Sequence, residues 1–497
     1  MSKSVVLLLS AMLLSGALLP GLAHADASEF VLGELHFRAC DLKDRTDGVL
    51  LGARCARLSV PEDPAAPDGR QISLRIGIAS AQTANPLPDP VFLFAGGPGQ
   101  SAVEAYPEVA AGFARLRERR HVILVDQRGT GDSNPLKCED AEGSSGFSAE
   151  DASDAAQTAF VQRCLEKLAD RADPRFYTTS VAVGDIDRVR AAIGAEQINL
   201  IGVSYGTRAA QVYLRQFPDR VRSVVLDGVV PPSLVLGMDH ARNLETAVQG
   251  IFARCREDAA CHRAFGDPAA DLDRLLAELR AAPLPVSFRD PKSGEMLKEE
   301  LSAYDVIGVV RLFAYSPEIS ALLPLALHEA VESRPEVLMA HSRLISGDFG
   351  EQFMHGMQLS VICSEDADLY RERPEDEATL LGTAFVHTMQ VQCAAWPKGS
   401  RPDDFHQPRP SEHPVLLLSG EFDPVTPPAY GDETLKQFGN GRHLVVPGRG
   451  HGQLNIGCMP RLLSAFIDAA DASGLDAKCL DTISAIPPFV NPNGWTP

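Results

Sequence analysis

Residues 197–218, QINLIGVSYGTRAAQVYLRQFP, open with the apolar residues Ile198, Leu200 and Ile201. The run breaks at Gly202-Val203-Ser204-Tyr205-Gly206 and resumes with Ala209, Val212 and Tyr213 at helical spacing. The pattern predicts strand, sharp turn, helix. Such a turn, a nucleophile elbow, holds a serine in a strained backbone conformation with its hydroxyl exposed at the carboxyl edge of a sheet, and small neighbours let other backbone approach. Ser204 is therefore the candidate nucleophile. The alternative is a chance match to a short glycine pattern, so the assignment depends on whether an acid and a base follow in the right places.

Working outward, residues 91–95 form a short apolar run that stops at Gly96-Gly97-Pro98-Gly99. Residues 121–125 form another, which stops at DQRGTGDS, 126–133, with a helical pattern over 102–117 between the two. Strand, helix, strand with turn chemistry after each strand marks a parallel sheet. Before it, residues 54–60 and 71–78, joined by the loop 61–69, read as an antiparallel hairpin. Residues 139–155 are acidic and rich in small residues, as an exposed loop would be, and helices are expected over 156–169 and 181–193. A further strand is expected over 221–226.

From Pro231-Pro232 to about residue 410 apolar residues recur at three and four, and prolines punctuate the segments. This is a mostly helical insertion large enough to cap the strand ends. Strands resume at 415–418 and 443–446, and a helix over 460–470 closes the domain. The expected division is 1–25 leader, 26–230 first part of the core, 231–410 cap and 411–497 second part of the core.

In an α/β-hydrolase fold, a mostly parallel sheet flanked by helices, the catalytic residues run Ser, acid, His in chain order, each on a turn after a strand. Here residues 415–418 lead into Ser419-Gly420-Glu421-Phe422-Asp423-Pro424, which makes Asp423 the candidate acid, with Glu421 as fallback. Residues 444–447 lead into Gly448-Arg449-Gly450-His451-Gly452, which makes His451 the candidate general base. Donors for an oxyanion are expected from the N–H groups of Tyr205 and Gly97. Alone, an Asp before Pro is a common turn former and a His between glycines a common loop residue; their joint order after strands singles them out.

Residues 1–25 carry one basic residue, Lys3, a long apolar stretch and the ending Ala23-His24-Ala25, the pattern of a cleaved secretory leader. A retained anchor fits less well, because Ser10, Ser15, Gly16 and Pro20 interrupt the run, and no later stretch has the length and apolarity to span a bilayer. Ten cysteines in such a chain point to disulfides, and no Cys/His spacing suits a metal. Sequence does not fix connectivity; nearest-neighbour pairing gives Cys40 with Cys55, Cys138 with Cys164, Cys255 with Cys261, Cys363 with Cys393 and Cys458 with Cys479. The formal net charge of −20 argues against a nucleic-acid partner. The expected protein is exported, periplasmic or extracellular, with no stable membrane insertion once the leader is removed, no metal and no cofactor.

Together, GGPG at 96–99, DQRGTGDS at 126–133, GVSYG at 202–206, LSGEFDPVTP at 418–427 and GRGHG at 448–452 resemble the proline iminopeptidase and tripeptidyl aminopeptidase family of serine exopeptidases. ICSED at 362–366 and the last segment resemble its tripeptidyl aminopeptidase branch. The resemblance implies a triad of Ser204, Asp423 and His451, an oxyanion hole at Gly97 and Tyr205, and peptide substrates with a free N-terminus. Ala95 stands where proline iminopeptidases have His, so no strict prolyl specificity is implied. A bound ammonium needs carboxylate partners; the resemblance places the acidic cluster near the mouth of the site, with Glu365 and Asp366 as candidate amine anchors, against a plain reading as solvated charges at a helix start. Arg128 is expected to pair with the aspartates of its own turn, and Arg208 to support the elbow helix. Two rivals are a carboxylesterase or amidase acting on small esters and a catalytically silent binding protein of the same fold.

Overall fold

Four-residue runs with every side chain buried need a sheet covered on both faces. In the computed structural model of the chain, which describes residues 30–43, 48–138, 153–332, 334–351 and 353–496, such runs lie at the centre of the molecule. The strands are β1 (Phe30–Leu32), β2 (Leu35–Lys43), β3 (Leu50–Pro61), β4 (Gln71–Ala79), β5 (Val91–Phe94), β6 (Val122–Val125), β7 (Ile198–Val203), β8 (Val221–Asp227), β9 (Leu284–Arg289), β10 (Met296–Leu301), β11 (Val415–Gly420) and β12 (Gly441–Val446). Ten of them form one sheet in the order β1-β2-β3-β4-β6-β5-β7-β8-β11-β12. From β6 to β12 the neighbours are parallel, and β1 to β4 form an antiparallel wing that joins at β6.

Strand periodicity splits the core into two layers. Phe92, Phe94, Leu200 and Leu226 face one way, toward helices Thr179–Ala192 and Tyr205–Gln216. Val91, Leu93, Ile201 and Val225 face the other, toward helices Ala102–Val109 and Met459–Ala469. The single helix expected over 102–117 is shorter: it ends at Val109 and gives way to 3₁₀ turns. In the 3₁₀ segment Gly112 passes close to the loop before the closing helix, where a Cβ would stand 2.8 Å from the carbonyl oxygen of Leu454.

Between β8 and β11 lie the helices His240–Glu257, Ala259–Phe265, Pro268–Ala281, Ala303–Phe313, Leu323–Glu332, Glu336–Glu351, His355–Glu365 and Ala384–Ala395; the first, third, fourth, fifth and sixth share an apolar cluster of their own, while the last two pack with core residues such as Phe160 and Tyr205. The β9–β10 hairpin within them is a strand pair that the mostly helical reading of the sequence does not single out; Val286 and Phe288 point inward while Ser287 between them is exposed. The leader lies outside the described residues, as does most of the loop expected over 139–155, and helix Asp154–Leu168 begins before that loop's expected end. No helix among the described residues is long and apolar enough to cross a membrane.

All ten cysteines are bridged in the five nearest-neighbour pairs. Cys363–Cys393 ties helix His355–Glu365 to helix Ala384–Ala395. Bridges of this kind stabilise chiefly by restricting the unfolded chain. Nonreducing peptide maps of the protein purified without reductant should recover these five pairs, and reductant should lower its thermal midpoint; ten free thiols would contradict this.

Candidate active site

Ser204 sits between β7 and the helix Tyr205–Gln216 with φ 56°, a conformation that side chains other than glycine's rarely adopt. The reason is crowding. A Cβ on Gly202 would stand 2.4 Å from the Gly206 carbonyl oxygen, and one on Gly206 would stand 2.1 Å from the Phe94 carbonyl oxygen. Both glycines are required by close approach, and the chain can turn there only by putting Ser204 in the left-handed region. The Ser204 N–H donates to the Asp227 carbonyl at 2.8 Å.

The turn after β5 passes directly over the serine: a Cβ on Gly96 would stand 3.2 Å from the Ser204 Cβ. Gly97 has φ 106°. Neither the Gly97 nor the Tyr205 N–H has a hydrogen-bond partner among the described residues. Both are available to an incoming oxyanion, and Tyr205 heads a helix whose first N–H groups are unpaired by construction. The loop is braced from below. Asp126 Oδ1 accepts the Ser101 hydroxyl at 2.5 Å and the Val103 N–H at 3.0 Å, so the turn after β6 anchors the chain two residues beyond Gly99. Arg128 differs from expectation: its partner is Asp185, at 2.7 Å, not an aspartate of its own turn.

His451 Nδ1 lies 2.7 Å from Asp423 Oδ2. The carboxylate is fully engaged: Oδ1 accepts the N–H groups of Val425 and Thr426 at 2.9 and 2.8 Å, and Oδ2 also accepts the Thr426 hydroxyl at 2.9 Å. Thr426 Oγ is 3.2 Å from His451 Nδ1 as well. Burial alone would lower the imidazole pKa, but the Asp423 charge and hydrogen bond, with Asp227 adding, hold it above its ordinary value. The His451 N–H donates to the Tyr315 carbonyl at 2.8 Å, and the Tyr315 ring meets the imidazole edge-on, so the cap helps to seat the ring. Glu421, the fallback acid, instead accepts the Gly448 N–H at 2.7 Å. Thr426 lies in the quoted motif three residues after Asp423, a spacing typical of an Asp-led turn; Tyr315 carries no local sequence signal.

The two candidate amine anchors are placed elsewhere than expected. Glu365 and Asp366 stand at the carboxyl end of helix His355–Glu365, not at a helix start, and both are 0% exposed. Glu365 accepts the Thr179 N–H at 2.6 Å and the Thr179 hydroxyl at 2.9 Å; that hydroxyl also meets the Tyr205 hydroxyl at 2.6 Å. Asp366 pairs with Arg208 at 2.8 Å. With their oxygens engaged under the elbow helix, these residues latch cap to core and present nothing to a substrate ammonium. Burial lifts the Glu365 carboxyl to about 7 against an ordinary 4.5. The folded state thus holds this proton where the unfolded chain has released it, and the associated stability is lost as pH rises from about 4.5 through about 7. Glu365→Gln should flatten that decline in thermal midpoint and alter turnover of a free-amine amide and a small ester alike; a KM increase confined to the free-amine substrate would contradict this placement.

Comparison with known proteins agrees with the fold. The family model described as alpha/beta hydrolase fold matches residues 89–293, and the one described as TAP-like protein matches residues 378–479. Serine protease Hip1 of Mycobacterium tuberculosis is 26% identical over 474 residues, covering 86% of this chain and 87% of that protein. Tripeptidyl aminopeptidase of Streptomyces coelicolor is 25% identical over 459 residues, covering 86% and 83%. Carboxylesterase B of Mycobacterium tuberculosis is 30% identical over 265 residues, 49% of each chain. The chain is a serine hydrolase of the α/β-hydrolase family, in the branch that carries a TAP-like C-terminal segment and resembles serine peptidases.

Proposed function

We propose that the protein is an exported serine aminopeptidase that releases N-terminal residues or short, tripeptidyl units from peptides through an acyl-enzyme. The observation that carries the proposal is the Asp423–His451 hydrogen bond of 2.7 Å, on a loop that Asp227 ties to the backbone of a serine strained to φ 56°. Ser204 Oγ attacks the scissile carbonyl carbon while His451 Nε2 takes its proton. The resulting oxyanion accepts the N–H groups of Tyr205 and Gly97. Collapse breaks the C–N bond, the leaving amine takes the proton from His451, and a water activated by the same imidazole hydrolyses the ester. Asp423 keeps Nδ1 protonated and offsets the charge of the imidazolium, and acyl transfer by this route needs no cofactor.

The peptidase reading is supported by the likeness to a serine protease and a tripeptidyl aminopeptidase over most of the chain. Export to the periplasm or medium is supported by five disulfides and by the leader-like start of the sequence. The second reading, an esterase acting on small esters, is favoured by the likeness of half the chain to carboxylesterase B.

A panel of aminoacyl, dipeptidyl and tripeptidyl chromogenic amides, each with a free or blocked amino terminus, beside a short-chain ester, separates the two. Free-amine tripeptidyl amides should be the best substrates and blocked ones poor. Ser204→Ala should abolish all turnover, and Asp423→Asn should lower kcat by roughly three to four orders of magnitude. Ester hydrolysis with no discrimination between free and blocked amides would favour the second reading, and normal turnover by Ser204→Ala would overturn both.

A further inference from the structure

Asp227, the last residue of β8, has no part in the reaction as written, yet it touches both halves of the site. Its carbonyl accepts the Ser204 N–H at 2.8 Å. Its Oδ2 accepts the N–H groups of Gln453 and Leu454 at 2.6 and 3.1 Å, two and three residues after His451. The next residue, Gly228, lies against the imidazole: with φ +67°, a Cβ there would stand 2.9 Å from His451 Cε1. One residue therefore fixes the backbone of the candidate nucleophile and the loop of the candidate base relative to each other.

The other carboxylate oxygen, Oδ1, is buried without a hydrogen-bond partner among the described residues, and the residue is only 1% exposed. An unpartnered buried carboxylate oxygen is costly. An asparagine would accept the same two N–H groups without a charge, so holding the loop does not explain the carboxylate. What an asparagine lacks is negative charge beside His451. The ionisable groups that face Asp227 are His451 and Asp423. His240, on the cap helix, faces the imidazole as well but is kept neutral, its pKa lowered to about 3 by burial and by Arg311 and His451 nearby. Burial lifts the Asp227 carboxyl to about 6, so the charge is present in the neutral range where an imidazole base works.

We propose that Asp227 is a positioning residue for acyl transfer, which sets Ser204 against His451 and lends a second negative charge to the imidazolium formed when His451 takes the serine proton. The proposal rests on the reading of Ser204 and His451 as nucleophile and base.

The test is Asp227→Asn in the full mature chain, assayed on a chromogenic amide or ester that the wild type turns over, with rates taken per site titrated by a fluorophosphonate. We expect kcat to fall about tenfold with KM little changed, and the acid limb of kcat/KM to move to lower pH because the imidazole loses a neighbouring charge. The thermal midpoint at pH 7.5 should hold or rise, since a carboxyl lifted from 3.8 to about 6 in the folded state lowers stability once pH passes the upper value. Asp227→Glu, which keeps the charge, should leave the acid limb closer to its wild-type position. An unchanged kcat and acid limb would overturn the proposal. So would a lower thermal midpoint with the limb unmoved, or an Asn variant that fails to fold, since either makes the carboxylate structural. Ser204→Ala, run alongside, separates the two readings: if it keeps its turnover, the nucleophile assignment fails, whereas a dead Ser204→Ala beside a wild-type-like Asp227→Asn removes only this proposal.

Discussion

The carbonyl oxygen of Phe94 occupies the space where a Cβ on Gly206 would lie, 2.1 Å from that point, and most of the site follows from this contact. It brings the end of β5 onto the first turn of the elbow helix. The glycine turn that leaves β5 therefore passes over Ser204, and neither the Gly97 nor the Tyr205 N–H has a hydrogen-bond partner among the described residues. The contact is possible only with glycine at 206, and the return of the chain past Gly202 is possible only with glycine there. Ser204 absorbs the backbone strain between them. Four residues thus trade local comfort for an exposed hydroxyl next to unpaired donors, a trade the surrounding sheet can hold because its central strands are buried on both faces.

Around that contact, buried polar pairs hold geometry. Asp126 with Ser101 braces the oxyanion turn, Arg128 with Asp185 ties the following loop to helix Thr179–Ala192, and Arg208 with Asp366 ties the elbow helix to the cap. Buried ion pairs contribute little net stability once desolvation is counted, but breaking one leaves an uncompensated charge, so they select one arrangement over others. The cap reaches the site from a second side, where the Tyr315 carbonyl and ring seat His451. Cap and core therefore share the work of placing the candidate base.

The parts of this structure that depend on local chemistry were legible in the sequence. The elbow glycines, the strand runs that become β5, β6, β7, β11 and β12, and the turns that carry the candidate acid and base after the last two are each marked by residues within a few positions of the feature they create. Pairings between distant segments were not. Proximity in sequence points Arg128 to the aspartates of its own turn, whereas its partner Asp185 is 57 residues away. Glu365 and Asp366 look solvent-bound as a run of acids, and only the packing of Thr179 and Arg208 against them shows otherwise. The β9–β10 hairpin is too short for its alternation to stand out among helical segments. Residue types alone also mislead. Ser419, His443 and Asp432 form a hydrogen-bonded run of the triad's composition, with Ser419 Oγ 2.9 Å from His443 Nε2 and His443 Nδ1 2.8 Å from Asp432, but Ser419 is fully buried within β11. Partial exposure and backbone strain, which Ser204 has and Ser419 lacks, separate the candidate nucleophile from a packed hydroxyl.

That distinction can be measured at a single atom. The wild-type chain, mixed with a slowly deacylating ester, quenched in acid and digested, should yield one acylated peptide by tandem mass spectrometry, with the acyl group on Ser204. An adduct on Ser419 or on any other residue, or turnover with no covalent adduct at all, would contradict the account that the elbow serine is the nucleophile of this hydrolase.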